Sequence, residues 1–480
     1  MLKRVSFLLA ALILGAALNL ACTPAAAPEN TEPEKMDEVV EIAPFTLSVT
    51  PGASNLIFNG KPVYTLHLEN PNPVDVLAEI KVTINTDKNK KAAGIEISQE
   101  VAANGTADVT LTPDEDLEPG FYKLSGKVNR KNLPGAVTRG VFGVLPDKIV
   151  YDMKDKQADF DTYWDGVLAQ LEAVDMSPRL VEVTSHSSSA RKVYFVELKS
   201  IANGKDGEPE TIHGYYVEPQ TGENHPVIMH FEGYDTQPPY GNIPKMWCPY
   251  GGSSSDYAEF YVSTRGQMIN ARDASLRDDG LTDENFENAY GDWFAYGFGD
   301  LDSYYYRGAF MDCVQCIRFM VERKTKDGKN VCDKDKLFAE GKSQGGAFSY
   351  AAAALSPYPL RAIAPGVAFL GDFKEYFGIV DWPGNTAKSS AKKAGITTEE
   401  MYTFLSYFDT KNLATRIPAT TSVIANMGLE DTTCPPRTNQ APFNTVKTTD
   451  KEMHVYPEMG HSVPEDWAGK YEAFFAKCQK

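Results

Sequence analysis

Cysteine is scarce, at 7 in 480 residues, and its positions follow neither a disulfide framework nor a zinc-ligand spacing. A disulfide-stapled fold and a structural zinc site are therefore not expected. Long apolar runs are equally lacking. The N-terminal run at residues 5–18 falls short of the about 20 residues a helix needs to cross a bilayer, which excludes a multi-span membrane protein. Basic charge is in deficit, with 47 Lys and Arg against 65 Asp and Glu and a net charge of −18. Nucleic acid is thus not an expected partner, because binding phosphate needs a net basic surface. His186, His213, His225 and His230 are scattered, and the acidic stretch at 277–292 has no EF-hand spacing, so neither metal nor cofactor is implied. What remains is ordinary globular composition, 42% apolar and 23% charged, in a chain long enough for two or three domains.

The first residues are a targeting segment rather than part of the fold. Lys3 and Arg4 precede the apolar run, and small residues lead to Cys22, so residues 1–21 read as a signal peptide. This stretch resembles a bacterial lipoprotein signal, which implies cleavage before Cys22 and lipid on its sulfur. It departs from that pattern in one place: Asn19 stands where such signals usually carry Leu, three residues before the Cys. The resulting expectation is an exported protein, lipid-anchored at the periplasmic or cell surface. Residues 22–43 carry Pro24, Pro28, Pro33 and six carboxylates against Lys35 alone. A proline-rich, self-repelling segment of this kind buries too little apolar surface to order itself, and acts as a tether.

Two rhythms follow. Residues 44–147 alternate apolar and polar with period two, punctuated by Asn59-Gly60, Asn70-Pro-Asn-Pro73, Asn104-Gly105 and Pro119-Gly120. About seven short strands at regular spacing predict an immunoglobulin-like β-sandwich, an accessory domain that serves as spacer or glycan binder. Over residues 150–480, strand-like runs at 193–198, 226–231, 259–263, 336–340, 362–368 and 421–426 alternate with helical patterns, notably 305–323, 347–355 and 467–478. Such alternation predicts βαβ units and a mainly parallel sheet flanked by helices. Cys313 and Cys316 resemble a redox pair, but Phe310, Val314, Ile317 and Val321 place them on an amphipathic helix, where core packing is the better reading.

The strongest chemical signal is Gly341-Lys342-Ser343-Gln344-Gly345-Gly346, a G-x-S-x-G sequence lying between a predicted strand and a predicted helix. That context turns Ser343 outward at a helix N-terminus, where free N–H groups favour negative charge. A serine hydroxyl needs a base, and the base needs an orienting acid. Only His454 and His461 lie downstream. His454 sits within the alternating run 451–456, whereas His461 lies on the loop beyond it and is the better base. Asp431, on the loop leaving the buried run 422–426, is the favoured acid, with Glu430 its neighbouring competitor.

Taken with Arg265-Gly266-Gln267, Tyr304-Tyr-Tyr-Arg307 followed by Asp312, and Gly428-Leu-Glu-Asp431 running into Cys434-Pro-Pro436, these motifs resemble carbohydrate esterase family seven. This is the acetylxylan esterase and cephalosporin-C deacetylase group of the α/β-hydrolase fold, and the resemblance spans roughly residues 150–478. It implies a Ser343–His461–Asp431 triad with the backbone N–H groups of Tyr234 and Gln344 as oxyanion hole. Arg265 and Gln267 are read as tying loops together rather than touching substrate. Two departures stand out: Ser462 replaces the Glu of the family's H-E motif, and Glu232-Gly-Tyr234 replaces its His-Gly-Tyr.

The expectation is a serine esterase that removes acetyl groups from xylo-oligosaccharides, xylan or related sugars through an acetyl-enzyme. A homo-oligomer is compatible with it. The alternatives are another hydrolase of this fold, of peptidase or dienelactone type, and a catalytically inactive glycan-binding lipoprotein.

Overall fold

Among the described residues, nine strands occupy the N-terminal region: β1 (Thr46–Pro51), β2 (Ile57–Phe58), β3 (Tyr64–Glu69), β4 (Val76–Thr86), β5 (Lys91–Val101), β6 (Thr106–Leu111), β7 (Gly120–Val128), β8 (Lys131–Asn132) and β9 (Val141–Val144). The structure is a computed structural model and describes residues 42–135, 140–204, 207–234, 256–267 and 290–479. The targeting segment with Cys22, nearly all of the tether and most of the acidic stretch at 277–292 lie outside the described residues. One sheet has the order β1-β3-β6 and the other β2-β9-β7-β4-β5, with β8 paired to β7. Alternation explains the pairing. Leu66 and Leu68 of the first sheet and Ile80, Val82, Ile84 and Leu124 of the second point inward and share one buried cluster. The two extra strands, β2 and β8, are two-residue pairings too short to show a period.

Among the described residues, the second sheet system has nine strands in the order β10-β11-β12-β14-β13-β15-β16-β17-β18. They are β10 (Arg179–Glu182), β11 (Arg191–Ala202), β12 (Pro209–Pro219), β13 (His225–Phe231), β14 (Ala258–Ser263), β15 (Cys332–Lys342), β16 (Ala362–Gly366), β17 (Ser422–Gly428) and β18 (Lys451–Tyr456). From β14 to β18 all neighbours are parallel, while β10, β11 and β12 form an antiparallel flank. The central strands β16 and β17 are buried throughout, as expected where helices cover both faces. The helices are α1 (Phe160–Glu172), α2 (Tyr305–Glu322), α3 (Gln344–Leu355), α4 (Phe373–Tyr376), α5 (Gly384–Ala394), α6 (Thr398–Ser406), α7 (Thr410–Leu413), α8 (Pro436–Thr445) and α9 (Trp467–Cys478).

Helix α2 is buried almost all round, with Cys313 and Cys316 as free thiols inside the main core. Burial pushes both thiols well up, so neither is poised for redox chemistry. On the other face of the sheet, α9 packs Trp467, Tyr471, Phe474 and Phe475 against Ile228, Phe338, Ala362 and Ile424.

Residues 44–480 pack as one unit. Phe121 and Val141 of the N-terminal sheets join Ile149, Met427 and Leu429 in a shared apolar cluster. Beside it the half-buried Arg437 of α8 donates from Nε to Asp87 Oδ2 at 2.6 Å, and Tyr151 Oη donates to the Arg437 carbonyl at 2.9 Å. The segment entering the second region is held by Lys411, which is 1% exposed and donates to Asp155 at 2.9 Å, to Asp372 at 3.1 Å and to the Asp152 carbonyl at 2.7 Å. A cation so buried is stable only because these oxygens replace its water.

Parallel strands end on one edge of a sheet, and here the carboxyl ends of β13, β14, β15, β17 and β18 deliver Tyr234, Arg265, Ser343, Asp431 and His461 to that edge.

Candidate active site

Ser343 links β15 to α3 with φ 58° and ψ −117°, a conformation that side chains rarely adopt. Three backbone hydrogen bonds hold it there. Its N–H donates to Gly366 O at 2.9 Å, while its carbonyl accepts from Ala347 N at 3.1 Å and Phe369 N at 2.9 Å. The flanking glycines make the turn possible. A Cβ on Gly345 would lie 2.1 Å from the Phe231 carbonyl oxygen, and one on Gly341 would lie 2.6 Å from Gly345. Only hydrogen fits in either place.

The downstream residues converge on this serine. His461 Nε2 lies 2.9 Å from Ser343 Oγ, and His461 Nδ1 lies 2.8 Å from Asp431 Oδ2. The imidazole is 27% exposed, whereas the Asp431 carboxylate is fully buried. Asp431 Oδ1 accepts the backbone N–H of Thr433 at 2.8 Å and of Cys434 at 2.7 Å. These two donors satisfy the oxygen that does not face His461 and fix the carboxylate plane. The adjacent Glu430 makes no comparable link to His461. Its carboxyl is half-buried, and burial pushes its pKa up, partly offset by the N–H of Val141. His454 also lies apart from the serine, with its ring 5.8 Å from that of Trp467.

The expected oxyanion residues flank the nucleophile. Gln344 opens α3, so its N–H is among the first four that a helix leaves without an internal partner. Its side chain is buried and accepts a hydrogen bond from Tyr306 Oη at 2.8 Å. On the other side Gly233 lies beside the nucleophile, where a Cβ would stand in ordinary contact with Ser343 Cβ at 4.0 Å. Tyr234 follows it, and its hydroxyl donates to Asp292 at 2.7 Å. Glu232, the departure before it, accepts the Gly233 N–H through Oε2 at 3.2 Å.

Arg265 and Gln267 tie this loop to the core. The guanidinium of Arg265 is fully buried and donates to both oxygens of Asp312, at 3.0 and 2.7 Å, and to the Ile201 carbonyl at 3.1 Å. The Asp312 carboxylate also accepts the Arg265 N–H at 2.9 Å. Gln267 Nε2 donates to the Gly233 carbonyl at 3.1 Å while Gln267 Oε1 accepts from Thr264 N at 3.0 Å. Gln267 thus holds the peptide unit joining Gly233 to Tyr234, whose N–H is the expected oxyanion donor. Ser462, the second departure, donates its backbone N–H to Gly460 O at 2.8 Å within the histidine loop.

The supporting roles of several residues are not legible in the sequence. Tyr306 on Gln344, the N–H groups of Thr433 and Cys434 on Asp431, and Tyr376, whose hydroxyl donates to the Thr433 carbonyl, all depend on tertiary contacts. Phe369 and Trp382 close the ring of aromatics around Tyr234, at 6.2 and 5.6 Å between centroids. Asp155, Asp372 and Asp409 bring carboxylate oxygens within 4.8 Å of one another, but Lys411 serves this cluster, which belongs to the packing rather than to the serine site.

Comparison with known proteins gives a consistent result. The family model described as acetyl xylan esterase (AXE1) matches residues 148–478. Acetyl esterase Axe7A of Xylanibacter ruminicola is 27% identical over 349 residues, which cover 72% of this chain and 71% of that protein. Among solved structures, the acetyl xylan esterase from Paenibacillus sp. R4 is 25% identical with a TM-score of 0.56, covering 69% of this chain and 98% of its own. Acetyl xylan esterase 1 from Thermoanaerobacterium sp. JW/SL YS485 is also 25% identical, with a TM-score of 0.52 and coverage of 67% and 94%.

Proposed function

Because this chain belongs to the acetyl xylan esterase family, with an α/β-hydrolase fold over the matched residues, we propose that Ser343, His461 and Asp431 are its catalytic triad. The protein is a serine esterase that deacetylates xylan and xylo-oligosaccharides. The observation that carries the triad reading is the unbroken chain of hydrogen bonds from Ser343 Oγ through His461 to Asp431, at 2.9 and 2.8 Å.

His461 Nε2 takes the serine proton as Oγ attacks the acetyl carbonyl, and Asp431 stabilises the imidazolium that forms. The oxyanion of the tetrahedral intermediate meets the N–H groups of Gln344 and Tyr234, each such donor being worth about 10² to 10³ in rate. As the ester C–O bond breaks, the protonated imidazole gives its proton to the departing sugar oxygen, which leaves as a hydroxyl. Water activated by the same imidazole hydrolyses the acetyl-enzyme. Membership of the family does not favour the peptidase, dienelactone or inactive-binder alternatives.

A panel of nitrophenyl esters from acetate to octanoate, run beside acetylated xylo-oligosaccharides, tests the acyl and sugar parts together. We expect kcat/KM to fall steeply beyond acetate, because a pocket shaped around one methyl resists overpacking. A preference for octanoate overturns the deacetylase reading and leaves the triad intact.

Residues 44–147 read as a β-sandwich accessory domain, supported by their two sheets and common core. Ahead of it, residues 1–21 read as a signal peptide and Cys22 as a lipid attachment point, which anchors the enzyme outside the cytoplasm. On that reading Cys22→Ala moves the protein from membrane to soluble fractions with esterase activity intact. Equal membrane association of variant and wild type sinks the anchor.

A further inference from the structure

Aromatic rings in this protein are buried or half-buried throughout the described residues, with one exception. Trp382, at 37%, is more exposed than any other described aromatic side chain. The other exposed large apolar side chains are aliphatic, namely Ile42, Val63, Val74, Leu77 and Val150. Exposing an indole is unfavourable in water, and single exposed rings are worth explaining when they sit at a site.

Trp382 sits at the site. It lies on the turn between α4 and α5. One face of its indole stacks on Phe369, with centroids 5.2 Å apart and planes 9° from parallel. Phe369 in turn donates its backbone N–H to the carbonyl of Ser343 at 2.9 Å. The indole also meets Tyr234 edge-on, 5.6 Å away at 77°, and Gly233, next to Tyr234, lies beside Ser343. Trp382 is therefore one residue removed from the nucleophile through Phe369 and in direct ring contact with Tyr234. The rings behind it are themselves fixed. Tyr234 packs on Trp293 at 5.1 Å and hydrogen-bonds Asp292, and Phe369 packs on Tyr376 at 6.0 Å. Among the described residues the indole is braced by Phe369 and Tyr234 and stays 37% exposed.

We propose that this exposed indole is a sugar-stacking subsite, which takes the pyranose ring bearing the scissile acetyl group or the ring next to it. A pyranose with equatorial hydroxyls presents a face of C–H groups, apolar and weakly positive, that fits the negative face of an indole. A xylopyranose, with no exocyclic CH₂OH, lies flat on such a ring from either side. Stacking orients the ester without touching the reacting atoms, so Trp382 is a positioning and specificity residue. The choice of a sugar as ligand rests on the deacetylase reading above.

The test compares two esters and one inhibitor: ethyl acetate, which has no ring, acetylated xylotriose, and xylotriose without acetyl groups. In Trp382→Ala kcat/KM for acetylated xylotriose falls about tenfold more than kcat/KM for ethyl acetate, with the excess loss lying in KM. Inhibition of ethyl acetate hydrolysis by xylotriose weakens about tenfold, and Trp382→Phe restores most of both effects. An equal loss on the two esters overturns the proposal, since Trp382 then shapes the acyl pocket or the fold. Unchanged KM and inhibition constants overturn it as well. A wild type that leaves acetylated xylotriose intact, yet is inhibited by xylotriose through Trp382, keeps the subsite and refutes the deacetylase reading.

Discussion

Ser343→Ala lowers kcat for acetyl esters by about 10⁵ to 10⁶ while leaving KM nearly unchanged. The residual rate is that of an oxyanion hole without its nucleophile. Alanine at this position keeps the strained φ of 58° and the three backbone hydrogen bonds, so the fold and the helix start at Gln344 are retained. The loss is therefore chemical, and circular dichroism and thermal melting of the variant match wild type. Rapid quenching of the wild type with acetyl ester, followed by peptide mass analysis, finds one acetyl group on the Ser343 peptide and none in the variant. Retention of full activity by Ser343→Ala refutes the catalytic assignment.

Asp431→Asn lowers kcat by about 10⁴, and the structure gives the reason. Thr433 N–H and Cys434 N–H both point at Oδ1, 2.8 and 2.7 Å away. Those donors require an acceptor, so the carboxamide turns its oxygen toward them and its NH₂ toward His461 Nδ1. The imidazole must then accept at Nδ1 and carry its proton on Nε2, facing Ser343 Oγ. In that tautomer it has no lone pair with which to take the serine proton. Glu430→Gln costs less than tenfold, because Glu430 faces the N-terminal strand at Val141 rather than His461. Comparing kcat for the two variants at saturating acetyl ester decides the matter, and the reverse ranking moves the acid to Glu430.

Much of this architecture was legible because burial writes a period into sequence. The helix at Trp467–Cys478 and the strand at Lys451–Tyr456 appear where their patterns put them. Strands β10 and β12 carry no such period. The first is four residues long, and the second opens on polar Pro209-Glu210-Thr211. Both belong to the antiparallel flank, where pairing with β11, rather than the segment's own apolar content, makes the strand.

The sequence by itself pointed to the residues of the proposed triad. A G-x-S-x-G turn, one histidine on a loop after a strand and one carboxylate on the loop before it suffice, because glycine at 341 and 345 and strand-to-loop transitions are local properties. Only the tertiary structure decided between neighbours and assigned supports. Asp431 rather than Glu430 faces His461, Tyr306 steadies Gln344, Gln267 holds the Gly233 carbonyl and Trp382 stands exposed beside Tyr234. Those contacts join residues tens to hundreds of positions apart. Hydrogen bonds and ring contacts depend on distances of a few ångströms, and along the chain nothing marks which distant side chains folding will bring that close.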